Sequence, residues 1–180
     1  MKDVLVLINR RARKGAVDPD ALARAFRRRG GRAHIHFPES PERVREIISA
    51  QAQGVRAVVI GGGDGSLNAA VEPVIAAGVP MGILPLGTAN DLARTLGIPT
   101  DLDSAVAIVM RGHAHRVDVG RVNGNLFLNA AHLGLGSRIA ANLRLRAKST
   151  WGVPAYVGGS GGRCAATGRS APRSSPARRA

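Results

Sequence analysis

The residues best equipped for chemistry stand in two short stretches, "GGGDGSLNAA" at 61–70 and "PLGTANDLA" at 85–93. Asp64 lies among glycines that read as a strand-to-helix turn. Such a turn offers free backbone N–H groups and the positive end of a helix dipole, and the usual visitor is a phosphate. A carboxylate beside a phosphate is unfavourable unless a cation or a proton in transit compensates. Asp64 is therefore expected to meet Mg²⁺, directly or through water, or to serve as a base toward an acceptor hydroxyl. The plain alternative is that Asp64 only caps the helix that follows. In the second stretch Gly87 makes a turn, and Thr88, Asn90 and Asp91 stand at the mouth of a helix. Ordinary capping accounts for Thr88 and Asp91 and is compatible with a functional role.

Neither stretch matches the common nucleotide patterns. Gly61 and Gly63 fit the start of G-x-G-x-x-G, and Ser66 breaks it. The lysine of G-x-x-x-x-G-K-[ST] is missing.

The elements that must position these residues alternate along the chain. "DVLVLI" (3–8) reads as a strand, and 18–30 as a helix with Asp18 as cap, Pro19 in the first turn and Gly30 as stop. "AHIHF" (33–37) alternates like a strand. The segment 40–54 reads as a helix with Ser40 as cap and Gly54 as stop. A strand at 55–60, a helix at 66–77, a strand at 79–85, and helices at 88–97 and 101–112 complete the run. Strands and helices alternating at these lengths imply parallel pairing through right-handed crossovers. The expected fold class is α/β, a layered parallel-sheet domain. Both glycine turns then lie at the carboxyl ends of strands, where open α/β sheets bind ligands.

Beyond residue 113 the texture changes. The stretch 114–131 reads as two strands joined at Asn123-Gly124, and 137–148 as a basic helix. From Gly158 to Ala180 the chain has no Leu, Ile, Val, Phe or Met. Such a segment cannot bury enough apolar area to offset its ordering entropy, so it is expected to be disordered.

The pairing of "GGGDGSLNAA" with "PLGTANDLART" resembles the catalytic domain shared by diacylglycerol kinases, sphingosine kinases and bacterial lipid kinases. "INRRARKG", "RVDVGRVNGNLFLNAAHLGLGSRI" and "WGVPAYV" extend the resemblance over residues 1–157. It implies a fold of the NAD-kinase and diacylglycerol-kinase type, with ATP and Mg²⁺ as cofactors. It also implies transfer of the γ-phosphoryl group to a diacylglycerol-like lipid hydroxyl. Carried across, it puts Asn9, Gly61, Gly62, Gly63, Asp64, Gly65, Ser66, Leu67, Asn68, Gly87 and Thr88 at nucleotide-binding positions, with Asp64 as the catalytic carboxylate. No residue is assigned as a dedicated metal ligand. Kinases of NAD and fructose 6-phosphate share the GGDG turn without P-L-G-T-x-N-D, which favours the lipid branch.

This chain departs from the family pattern in places. Ser66 replaces the usual threonine and keeps its hydroxyl. Ala69 replaces the usual glutamate. The Asn-Pro-x-x-Gly opening is blurred to "NRRARKG", and a threonine usual after the second strand is replaced near Pro38. These kinases also carry a second, β-rich domain that supplies metal-binding and catalytic acids. The expected organisation is a catalytic domain over 1–130, the start of a truncated second domain over 131–157, and a basic tail over 158–180. The abrupt change of composition after "WGVPAYV" points to a frameshifted, truncated reading frame. The alternative to a lipid kinase is thus a nucleotide-binding remnant without catalysis.

Bulk properties narrow the partners. The net charge is +14, nearly all from arginine. A GC-rich genome explains that as well as attraction to anionic lipid does. A nucleic-acid partner is not expected, because aromatic platforms and recognition motifs are missing. No apolar run approaches the roughly 20 residues of a membrane span, and no signal-peptide pattern is seen at the start. The lone Cys164 rules out an internal disulfide framework and fits a reducing cytoplasm. Cytoplasmic location with peripheral association at an anionic membrane surface is expected. The five histidines, His34, His36, His113, His115 and His132, are read as solvated or packed rather than metal-binding, and Trp151 and Tyr156 as core residues of the second domain.

Overall fold

In the computed structural model, residues 2–12 and 17–129 are described. The expected helix at 137–148, the tail, His132, Trp151, Tyr156 and Cys164 lie outside the described residues.

Four parallel strands form the central sheet. They are β1 (Lys2–Ile8), β2 (Gly31–His36), β3 (Ala57–Gly62) and β4 (Met81–Pro85), in the order β2-β1-β3-β4. Every residue of β3 is buried, as a strand covered on both faces requires. Helices α1 (Pro19–Arg27) and α5 (Leu102–Arg111) cover one face. There Leu22, Phe26, Val106 and Met110 pack on Val4, Val6 and Val59. Helices α2 (Pro41–Gln51) and α3 (Asp64–Ala77) cover the other, where Ile48, Leu67, Val71 and Val74 pack on Leu5, Leu7 and Val58. The short helix α4 (Asp91–Thr95) adds Leu92 and Ala93 to this second core. The expected α/β parallel-sheet layering is what forms.

The caps follow the sequence. Asp18 accepts the Asp20 N–H at 2.9 Å, Ser40 the Arg43 N–H at 3.3 Å, and Asp101 the Ser104 N–H at 2.8 Å. Each satisfies an N–H that the first helical turn leaves without an acceptor. The helices at 18–30 and 40–54 are a few residues shorter than expected, at Pro19–Arg27 and Pro41–Gln51.

Three boundaries differ in ways that bear on the site. α3 starts at Asp64, not Ser66, because Gly63 is already its N-cap. α4 spans five residues instead of 88–97, because the chain from Leu86 to Asn90 is held as a turn. The hairpin forms only over β5 (Gly120–Val122) and β6 (Asn125–Phe127), and residues 113–119 have no strand assignment. Its turn is at Asn123-Gly124 as expected, with φ of 48° and 82°, the conformation of a two-residue hairpin turn.

Candidate functional site

The order β2-β1-β3-β4 reverses direction between β1 and β3. Chain leaving the tops of these two strands must diverge, and ligands of open α/β sheets bind in the crevice so formed. Asn9 leaves one strand and the glycine turn leaves the other. Their separation is bridged: Asn9 N–H donates to Gly61 O at 2.8 Å, and Asn9 Nδ2 donates to Ser66 Oγ at 2.9 Å. The Asn9 side-chain oxygen accepts the Arg11 N–H at 2.9 Å. Arg10 places its guanidinium 4.2 Å from the Phe37 ring centroid, linking the loop after β1 to the end of β2.

A cleft opens between these loops and the start of α3. Asn9, Pro38, Val44, Gly65, Ser66 and Ala69 line it. Gly65 is exposed, with nothing within 4 Å of the position a β-carbon would take. The Ser66 hydroxyl accepts from Asn9 and keeps its own proton to donate. Two positions that depart from the family pattern, near Pro38 and at Ala69, face this cleft. In the first turn of α2, outside this cleft, the Glu42 carboxyl is held below the ordinary range, first by the Ser40 hydroxyl, then by its own N–H, and less by Arg45.

On the opposite flank of the α3 N-terminus the two glycine turns meet. A β-carbon on Gly63 would lie 3.1 Å from Gly87 Cα, and one on Gly87 would lie 2.7 Å from Asn90 Oδ1. Gly63 has an extended backbone, with φ −100° and ψ −172°. Glycine is needed here for close approach and not for a left-handed turn. Asn90 holds the second turn in place. It is buried and left-handed at φ 50°, accepts the Gly87 N–H at 2.9 Å, and donates to Gly87 O at 2.9 Å. The sequence puts Asn90 at the helix mouth without disclosing this role. An Asn three residues after a turn glycine, in a residue type that tolerates the left-handed region, was the available signal.

Asp64 joins the two turns. Its Oδ2 accepts the Asp91 N–H at 3.1 Å and its Oδ1 the Leu92 N–H at 3.0 Å. It therefore caps α4, a helix 27 residues further on, and not the helix that it begins. Oδ2 keeps a second acceptor site, while the second site of Oδ1 faces the Asn129 amide at 3.5 Å.

The other expected site residues divide. Gly61 and Gly62 are the buried end of β3, where the Gly62 carbonyl accepts the Leu86 N–H at 3.0 Å. Thr88 is exposed in the second turn and does not line the cleft. Leu67 is core: its side chain is 2% exposed and its N–H donates to Gly63 O at 3.2 Å. Asn68 is exposed, with Oδ1 accepting the Leu128 N–H at 2.9 Å. His34 lies 3.6 Å from Asp3, and His36 pairs with Gln51 at 2.9 Å. Among the described residues no three His, Cys, Asp or Glu side chains group as a metal site. Nor is any helix among them long and apolar enough to cross a membrane.

Residues 3–122 match the family model of the diacylglycerol kinase catalytic domain. The chain belongs to this family. It is 40% identical over 124 residues to the "Probable lipid kinase YegS-like" of Shewanella frigidimarina, covering 66% of this chain and 40% of that protein. The protein of the same name from Pseudomonas aeruginosa is 37% identical over 160 residues, covering 87% of this chain and 52% of that one. Among solved structures, a diacylglycerol kinase from Bacillus anthracis str. Sterne matches with a TM-score of 0.58 and 28% identity, over 71% of this chain and 46% of that one. The chain spans about half the length of the curated relatives it matches.

Proposed function

We propose that this chain is the nucleotide-binding part of an ATP-dependent lipid kinase, which passes the γ-phosphoryl group of ATP to the hydroxyl of a diacylglycerol-like lipid. The observation that carries the reading is the double turn, in which Gly63 packs on Gly87 and the Asp64 carboxylate is fixed between α3 and α4 at the carboxyl edge of the sheet. Phosphoryl transfer asks a protein chiefly for positioning and charge neutralisation. The α3 N-terminus offers N–H groups for the phosphates, and Ser66 and Thr88 offer hydroxyls on either flank. Asn9 orients the Ser66 hydroxyl. The donor set suits Mg²⁺, which binds through one or two carboxylates together with phosphate oxygens and water. Asp64 is the carboxylate available for it, and the ion would neutralise charge on the phosphates. The lipid would be met at an anionic membrane surface on the cytoplasmic side.

The second reading, nucleotide binding without turnover, is favoured by Ala69 in the cleft wall, where the family pattern has a glutamate. One pair of measurements separates the two. Calorimetry with Mg-ATP tests binding, and radiolabelled ATP with diacylglycerol in mixed micelles tests transfer. Binding with labelled lipid product supports the kinase, and binding without product supports the second reading. No binding overturns both.

A further inference from the structure

Asn68 lies one helical turn beyond Asp64 on α3, and its side-chain carbonyl already has a partner. Oδ1 accepts the N–H of Leu128, 60 positions later, at 2.9 Å. The Leu128 side chain is buried in the core that holds Leu67 and Val71. The outgoing end of the β5–β6 hairpin is thus seated on α3 by one polar and one apolar contact. The next residue, Asn129, has φ 80°, a left-handed conformation that asparagine tolerates better than most side chains. There its Nδ2 approaches Asp64 Oδ1 at 3.5 Å. That distance is long, so the fastening is the Asn68–Leu128 bond and the Asn129 amide is what it delivers.

We propose that Asn68 is a positioning residue: its side-chain carbonyl seats the hairpin on α3 and so sets the Asn129 amide against the Asp64 carboxylate. This replaces the nucleotide contact that the family resemblance gives Asn68. It rests on the phosphoryl-site reading only in what Asp64 is positioned for. The two backbone donors of α4 fix the plane of the Asp64 carboxylate, and Asn129 occupies one side of Oδ1. The hairpin therefore decides which face of that carboxylate is left for a cation or a hydroxyl.

The test uses the full chain and three variants, Asn68→Ala, Asn68→Asp and Asn129→Ala. Amide hydrogen exchange at Leu128 and calorimetry with Mg-ATP are the readouts. Asn68→Ala removes the acceptor, so exchange at Leu128 should rise about tenfold. Asn68→Asp keeps an acceptor oxygen, and exchange should stay near the parent's. Asn129→Ala should leave Leu128 protected while weakening Mg-ATP about fivefold, the loss of one modest hydrogen bond's influence. Asn68→Ala should weaken it similarly, and Asn68→Asp less. If Asn68 instead touched the phosphates, the added carboxylate would repel them and Asn68→Asp would bind worse than Asn68→Ala. That order, or unchanged exchange at Leu128 in Asn68→Ala, overturns the proposal. A parent chain that binds no Mg-ATP overturns the phosphoryl-site reading, and exchange at Leu128 then decides the fastening alone.

Discussion

Gly63 and Gly87 approach so closely that a β-carbon on Gly63 would lie 3.1 Å from the Gly87 Cα. The two turns are thereby one object, and either glycine is a point where the whole can be broken. Gly87→Ala would drive its new methyl into Gly63 and toward Asn90 Oδ1, both parts of the fixed turn. Overpacking of this kind costs about 1–3 kcal/mol. The expected outcome is a lower melting temperature and loss of measurable nucleotide binding. Gly65→Ala is the control for melting temperature alone, since no protein atom lies near that position and its conformation is helical. Equal losses of melting temperature in both variants would show that the contact between the turns is unimportant.

Asp64→Asn is expected to abolish phosphoryl transfer, as a metal or base role requires. The structure adds a stability cost that the sequence does not show. Both carboxylate oxygens accept backbone N–H groups of α4. An amide would turn one acceptor into a donor facing a donor, at about 1–3 kcal/mol. Chemical denaturation with circular dichroism should show the loss. An unchanged midpoint would mean that α4 does not depend on Asp64.

The hidden role of Asp64 marks where sequence reading stops. Asp18, Ser40 and Asp101 are legible as caps because the partner N–H lies two or three residues away, fixed by helix geometry. Asn123-Gly124 is legible because the turn itself demands positive φ. The parallel sheet follows from the alternation of strands and helices, while the order β2-β1-β3-β4, and with it the switch point, is set by packing that the alternation does not record. Asp64, by contrast, bonds to N–H groups 27 and 28 positions away, and a backbone donor leaves no mark in the residue type. The same holds for Asn68 and Leu128. Leu67 falls within the motif, yet helical periodicity turns it inward to the core.

Asp103 predicts an acid-side loss of stability. Its carboxyl is held below the ordinary range, first by hydrogen bonding from Arg29 and then from Arg28, with the charges of both assisting. The bonds are made at 3.1 Å from Arg28 and 3.1 Å from Arg29 Nη1, and they tie α5 to α1. A carboxyl with a depressed folded pKa stabilises the fold above its unfolded pKa and loses that contribution as pH falls through the folded value. Melting temperature should therefore fall more steeply in acid for the parent than for Asp103→Asn. The pair is exposed, so added salt should shrink the difference. Parallel pH profiles for the two proteins would contradict this.

Nucleotide binding should be weak and governed by the phosphates. The cleft walls are Pro38, Val44 and Ala69, and the nearby Phe37 ring is already covered by Arg10. No uncovered aromatic ring lines the cleft among the described residues, while the α3 N-terminus favours charge. Calorimetry should give ATP tighter than ADP and AMP weakest. AMP binding as tightly as ATP would transfer the recognition to the base.

The net charge of +14 is an available attraction to an anionic surface, at about 1 kcal/mol for each basic residue close to it. In sequence, residues 137–148 interleave Arg138, Arg144, Arg146 and Lys148 with Ile139, Leu143 and Leu145. A segment of that pattern can lie in the interface as a helix with basic and apolar sides. The chain should sediment with vesicles containing anionic lipid and leave them as salt is raised, since screening shortens the reach of the charge. Removing residues 137–180 should abolish most of the binding. Unchanged sedimentation after that deletion would assign the attraction to the arginines of the α/β domain, among them Arg24, Arg27 and Arg32 on α1 and β2.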